Sequence, residues 1–370
     1  MSAYPLRGAS AARRTLLLVL VALLLVGTAA SASARPASLP VKAQADRELR
    51  VVTRNLYLGA ELGPIFAAQT PQQLVGAVSA TYAAALASDF PGRAELLADE
   101  IVASGAHLVG LQEVSRWRTG AAGTVAETVV QDFLQILLDA LAARGAAYET
   151  VSVSEAFDGQ LPAFDPAVGM FEARLTDRDV ILARADLPPS QLKVLSADDG
   201  RFAAALELPV LGTPLRVERG WNAVDVKVRG KVVRFVNSHL EAFDPGEVVR
   251  RAQAQELLAG PLATDLPVIL VGDFNSAAPT GVAYGELLGG GFVDAWTTAR
   301  PGEDGLTCCH AADLLNPVPT FRTRIDLVLS RGLEALTAER IGDDAGARTA
   351  EGRWPSDHAG VVARLRLPVR

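Results

Sequence analysis

The chain has 370 residues, of which 49% are apolar and 21% charged, with a formal charge of −7. That length and apolar content support a sizeable buried core and exclude a disordered chain. The acidic balance gives no bulk attraction to nucleic acid or an anionic membrane, so phosphate recognition has to be local or metal-assisted.

The N-terminus comes first in the chain and is the clearest targeting feature. Arg7, Arg13 and Arg14 precede an unbroken apolar run from Leu16 to Val26, and Ala32-Ser33-Ala34 follows. This predicts a signal peptide over residues 1–34 cut after Ala34, a short linker over 35–45 and a single domain over 46–370, in a secreted, periplasmic or extracellular protein. A membrane anchor over residues 15–30 is the competing reading, but a span needs about 20 apolar residues and this run reaches that only by counting Gly27, Thr28 and the alanines. Cleavage removes three of the 35 basic residues and none of the 42 acidic ones, leaving a formal charge near −10.

Short Val/Ile/Leu-rich runs then alternate with helical periodicity to the C-terminus, which predicts a layered α/β or α+β domain. Strands are predicted over 49–56, 107–112, 179–183, 222–228, 232–238, 268–272, 325–329 and 360–367, and helices over 93–104, 125–143 and 247–258. Residues 224–236 alternate with a period of two around Arg229-Gly230, an antiparallel hairpin, so the sheet content is mixed. The stretches 59–92, 154–176 and 300–320 read as loop-like insertions. Cys308 and Cys309 are adjacent; a vicinal disulfide and two thiols remain equal alternatives, and no disulfide framework is possible.

Polar residues at strand ends carry the chemistry, because a strand delivers a side chain to the sheet edge with little freedom. Asn55 ends the first strand, Gln112-Glu113 the second, Ser238-His239-Leu240 the hairpin, and Gly272-Asp273-Phe274-Asn275 the next. Arg324-Ile325-Asp326 opens another strand and Ser356-Asp357-His358 precedes the last. Two of the chain's four histidines fall in this set; His107 starts an apolar strand and reads as packing, and His310 lies in a loop. Together these residues supply hard oxygen ligands for one or two divalent ions plus an acid and a base.

The ordered set resembles the endonuclease/exonuclease/phosphatase superfamily over nearly the whole mature chain. The resemblance implies a four-layered, deoxyribonuclease-like α/β (α+β) sandwich of two mixed β-sheets flanked by helices. It implies a metal-dependent phosphoester hydrolase using Mg²⁺, with Mn²⁺ or Ca²⁺ as alternatives, and a phosphate-ester substrate, nucleic acid or a phospholipid headgroup. By the same resemblance Asp273 orients or deprotonates the attacking water and Asn275 holds a phosphate oxygen. His239 and His358 supply further donors, and Asp326 fixes the ring of His358. Glu113 and Asp357 are the expected metal ligands, with Asn55 beside Glu113 giving a neutral oxygen or a hydrogen bond, and Arg219 is expected to contact the substrate phosphate.

No Gly-x-Ser-x-Gly elbow supports a serine hydrolase. Every catalytic position of the pattern is filled, which favours an enzyme over an inactive binding module. Among substrates, export fits an extracellular nuclease or a phospholipase best, and a nuclease-like phosphodiesterase is preferred by a small margin; a sphingomyelinase-like or inositol-polyphosphate enzyme is the alternative, although no exposed apolar hairpin of the kind a lipid enzyme needs is evident. No obligate partner is evident, and a monomer is expected.

Overall fold

The computed structural model describes residues 47–368; the targeting segment and linker expected over 1–45 lie outside the described residues. The elements run β1 (Glu48–Asn55), α1 (Gly63–Phe66), α2 (Pro71–Ala87), α3 (Phe90–Ser104), β2 (Leu108–Gln112), β3 (Arg116–Ala121), β4 (Thr128–Asp132), α4 (Phe133–Ala143), β5 (Tyr148–Asp165) and β6 (Gly169–Arg184). They continue with β7 (Leu192–Arg201), β8 (Leu206–Val210), β9 (Thr213–Val217), β10 (Gly220–Val228), β11 (Lys231–His239), α5 (Glu247–Ala259), β12 (Val268–Asp273), α6 (Val282–Gly289), β13 (Val293–Asp294), α7 (Ala295–Ala299), β14 (Asp326–Arg331), β15 (Glu334–Ile341) and β16 (Gly360–Arg366).

Eight strands form one sheet in the order β15-β16-β1-β2-β6-β3-β4, with β5 also paired to β6; six form a second, β13-β14-β12-β11-β10-β7. Both sheets are mixed, since β1 pairs β2 in parallel and β11 pairs β12 in parallel while their other neighbours are antiparallel. Alternation along each strand explains the layering. Leu49 and Val51 of β1 face a core between the sheets that also holds Ile181, Val224, Val226, Phe235, Ile269 and Val328. Val52, Val109, Leu111 and Leu182 face the other way, onto Phe90, Leu97 and Ile101 of α3 and Phe133 and Leu137 of α4. On the far side Val236, Leu270 and Leu329 pack on Leu257 of α5 and Leu287 of α6. The result is the expected four-layered sandwich.

Three expectations are corrected. The helix predicted over 125–143 begins only at Phe133, because Asp132 caps it by accepting from the Leu134 N–H, and Thr128–Asp132 with its two valines forms β4. The insertion over 59–92 is mostly helical. Thr70 accepts from the Gln73 N–H and Pro71 occupies the first turn of the alanine-rich α2, whose Leu74, Val78, Thr81 and Ala85 form its buried stripe. Residues 154–176 belong to the long β5–β6 hairpin, in register from Tyr148 opposite Arg184 to Asp165 opposite Gly169. Its tip exposes Phe164, Val168 and Met170, the apolar hairpin that the sequence did not reveal. The 224–236 hairpin forms as expected on Arg229 and Gly230, both at positive φ.

Candidate active site

Along the layer between the sheets, each strand changes from apolar to polar toward the same end. On β1 the inward positions are Leu49, Val51, Thr53 and Asn55; on β11 Val233, Phe235, Asn237 and His239; on β12 Ile269, Val271 and Asp273; on β14 Val328 and Asp326. A hydrogen-bonded row marks the transition, with Gln112 Nε2 donating to Asn237 Oδ1 at 2.6 Å and Asn237 Nδ2 donating to the Leu111 carbonyl at 3.0 Å. Gly272 is required beside it: its φ is 154° and a Cβ there would lie 1.9 Å from the Ser238 carbonyl oxygen.

Past the strand ends the catalytic candidates converge. Glu113 (φ 56°) and Asn275 (φ 46°) both adopt left-handed backbone, a strained conformation for a glutamate that turns its carboxylate back over the sheet edge. Asn55 Nδ2 donates to Glu113 Oε1 at 3.0 Å and to Asp273 Oδ2 at 3.1 Å, while its Oδ1 accepts the Tyr57 N–H at 2.8 Å. Of the two roles expected for Asn55, the structure therefore gives the hydrogen bond; its oxygen is taken by the backbone. Asp273 Oδ1 accepts the Asn275 N–H at 3.0 Å.

The two histidines sit in opposite electrostatic settings. His358 Nδ1 lies 2.8 Å from Asp326 Oδ2 and 3.7 Å from Asp273 Oδ2, and Nε2 is 4.0 Å from Asp357. Burial alone would strip its proton, but Asp326, Asp357 and Asp273 outweigh that and raise its pKa well above the usual imidazole value. His239 is also buried, and burial followed by the neighbouring Arg219 and His358 drives its pKa well below that value. It is neutral. Arg219 Nη1 lies 3.1 Å from its Nδ1, and its Nε2 lies 3.7 Å from Asp273 and 3.1 Å from Asn275 Nδ2, so a nitrogen donor faces each ring nitrogen. Burial, then Asp326, raises Asp273 to about 6.

Arg219 is buried and ion-paired to Asp177 at 3.3 Å, yet it lines the cleft together with Glu113, Asp177 and Asp357. Asp177 and Asp179, on the inward face of β6, are site neighbours that sequence reasoning missed, because β6 reads locally as part of a loop followed by a core strand. Both oxygens of Asp179 and one of Asp177 are buried without a hydrogen-bond partner. Burial, opposed by Arg219, leaves Asp177 at about 7, and burial with Asp177 beside it holds Asp179 well above the carboxylate range. Arg93 was missed too, although the helix that carries it was predicted. It is wholly buried and donates to the carbonyls of Leu56, Tyr57 and Pro355, tying the loop after β1 to the segment carrying Asp357 and His358. Its only sequence signal is an arginine on the apolar stripe of a helix.

The donor set fits a hard divalent cation. Six carboxylates, Glu113, Asp177, Asp179, Asp273, Asp326 and Asp357, outnumber the cationic groups near them, Arg219, His358, Arg93 beside Asp357 and Arg178 beside Asp177, and burial, then Asp357, pushes the pKa of Glu113 up. Glu113 and Asp357 are the two that remain partly exposed to the cleft, where a hydrated ion can enter. Asp273, Asp326 and His358 also bring ligand atoms within 4.8 Å of one another. Cys308 and Cys309 are bonded through their sulfurs, and Cys309 Sγ lies 3.8 Å from His358 Nε2. His107 accepts the Arg50 N–H at 3.1 Å and is a packing residue, as expected.

A two-sheet sandwich with acids, amides and two histidines at one end defines a phosphoesterase-type fold and site. The sequence pattern of the Endonuclease/Exonuclease/phosphatase family matches residues 84–358, and the chain belongs to that family of phosphoester hydrolases. Three solved structures share the fold. They are an endonuclease/exonuclease/phosphatase family protein from Leptotrichia buccalis (TM-score 0.54, 16% identity, covering 86% of this chain and 100% of that one), one from Bacteroides thetaiotaomicron (0.52, 18%, 87% and 98%), and D. rerio TDP2 complexed with a single-strand DNA product (0.51, 16%, 86% and 99%). Among curated proteins, no sequence matches significantly.

Proposed function

We propose that the chain is an exported, monomeric phosphodiesterase that works with a divalent cation, Mg²⁺ first, and hydrolyses its substrate by direct attack of water. The observation that carries this is the His358 ring held between Asp326 at 2.8 Å and Asp273 at 3.7 Å, beside a cleft lined by Glu113, Asp357 and Arg219. Asp273 orients the attacking water and takes its proton, with Asn55 and the Asn275 N–H fixing its two oxygens. Because His358 lies on the same side as Asp273, and the leaving oxygen of an in-line displacement departs from the opposite side, His358 neutralises a phosphate oxygen and does not protonate the leaving group. Asn275 and the neutral His239 ring add polar groups there, and Arg219 holds His239 from its Nδ1 side while lining the cleft. Glu113 and Asp357 would hold the cation, which when bound supplies charge neutralisation at the phosphate.

Export fits an extracellular nuclease or a phospholipase, and nucleic acid is the first reading of the substrate. A lipid-type phosphodiester is a second reading, supported by the exposed Phe164, Val168 and Met170 at the β5–β6 tip. Turnover of methyl p-nitrophenyl phosphate by the purified protein with Mg²⁺ tests the site: His358→Asn and Asp273→Asn are each expected to lower kcat by about 10²–10⁴-fold. Unchanged turnover in either variant would sink the assignment. A secreted form beginning at Arg35 is the expected mass-spectrometric outcome for export with cleavage; an exported protein that retains residues 1–34 would rule the cleavage out.

A further inference from the structure

Next to the catalytic cleft lies a second cavity of about 290 Å³, walled by α1, α2, the β5–β6 hairpin and the small β8–β9 hairpin. The two are continuous, since Leu62, Phe66, Phe157 and Leu175 line both. The strands lead from one to the other in steps of two residues. On β6, Ala173 and Leu175 face the cavity and Asp177 the cleft; on the other wall Leu215 faces the cavity, and Val217 and Arg219 the cleft. With a strand rise of about 3.3 Å per residue, the apolar wall starts about 7 Å from the Asp177 position and extends about 14 Å from it.

The lining has no charged side chain, and its polar groups are mostly spent. Thr81 Oγ1 donates to the Glu61 carbonyl, and Gln160 is used by the Ala126 N–H and the Thr124 carbonyl. A concave apolar pocket opening onto a polar reaction centre is the ordinary form of a substrate subsite. The volume suits one small apolar group; a nucleotide would bring base-edge polar groups and further phosphates to a wall with few polar partners for the first and no cation for the second.

We propose that this cavity seats an apolar alkyl or aryl group on the substrate, so that the enzyme selects phosphodiesters carrying one such group close to the phosphate. The inference rests on the phosphodiesterase reading and chooses its substrate class.

Calorimetric binding of methylphosphonate and of octylphosphonate below its micelle concentration, to the full mature protein with Mg²⁺, tests the pocket without turnover. Affinity is expected to rise about fourfold per methylene until the cavity fills, giving octyl an advantage of roughly 10²-fold or more over methyl. Ala173→Phe fills the cavity and Leu215→Glu places a charge in it; each is expected to abolish that advantage while methyl p-nitrophenyl phosphate turnover stays within about twofold of native, and circular dichroism reports whether each has folded. Equal affinity for the two phosphonates overturns the proposal, as does an octyl advantage that survives in both folded variants. Cleavage of oligothymidylate faster than octyl p-nitrophenyl phosphate, undisturbed by Ala173→Phe, also overturns it. An octyl advantage lost in the variants with no ester hydrolysed leaves the pocket standing and removes the phosphodiesterase reading instead.

Discussion

Asp326 illustrates how one buried carboxylate sets the chemistry of its neighbour. Its Oδ2 is 2.8 Å from His358 Nδ1, and it is the first of the three acids that keep that ring protonated against the pull of burial. Asp326→Asn removes the charge while preserving shape, so kcat is expected to fall by about 10²-fold or more with little change in KM; steady-state kinetics at fixed Mg²⁺ checks this, and an unchanged kcat refutes the role. His107 shows the opposite sign on the stability side. Burial first, then Arg229 and Arg184, lowers its pKa to about 4, below the unfolded value of about 6.5. The fold therefore has the full benefit of the neutral ring above about pH 6.5 and loses it as pH falls toward 4, by up to about 3 kcal/mol. Denaturant melts of His107→Gln across that window are expected to show a shallower acid loss than the native chain; parallel curves would refute it.

At the scale of elements, the site depends on how loops are fastened to the sandwich. Arg93 of α3 joins the segment after β1 to the segment before β16 through three carbonyls, and its guanidinium lies 5.0 Å from the Phe90 ring centroid. Arg93→Met keeps most of the volume but leaves those carbonyls without a donor, so stability is expected to drop by about 3 kcal/mol, read as a shift in urea midpoint. Because Asn55, Asp357 and His358 hang from the fastened segments, kcat is expected to fall in the same variant below its melting range. Elements also explain the errors of sequence reading. The α2 helix carries signals that local reading could have used, a Thr70 cap, Pro71 in its first turn, alanine-rich composition and a stripe at Leu74, Val78 and Ala85. The β5–β6 hairpin is held by pairing over its whole length, an interaction between residues distant in sequence that no local window contains.

Over the whole molecule, six carboxylates gathered at one end of an acidic protein are a liability without a cation. Mg²⁺ or Mn²⁺ is therefore expected to raise Tm, by about 2.7 kcal/mol of added stability at a hundredfold excess over Kd. Glu113→Gln is expected to abolish that shift without lowering the cation-free Tm, since it removes one of the repelling charges. Scanning calorimetry with and without EDTA checks both, and a cation-independent Tm would falsify the metal assignment at Glu113.

The sequence by itself determined the strand-end positions of Asn55, Glu113, His239, Asp273, Asp326 and His358, because strand alternation and the turn chemistry after each strand are local properties that survive in a single string of residues. The antiparallel β10–β11 hairpin and the layered class were legible in the same way. Tertiary structure alone decided that His358 is charged while His239 is neutral, that Arg219 pairs inward with Asp177, and that Asp177, Asp179 and Arg93 belong to the site. Those outcomes depend on burial and on charges contributed by segments far apart in the chain. The apolar cavity beside the cleft has the same origin: its walls come from six separate stretches, and only their packing leaves the space between them.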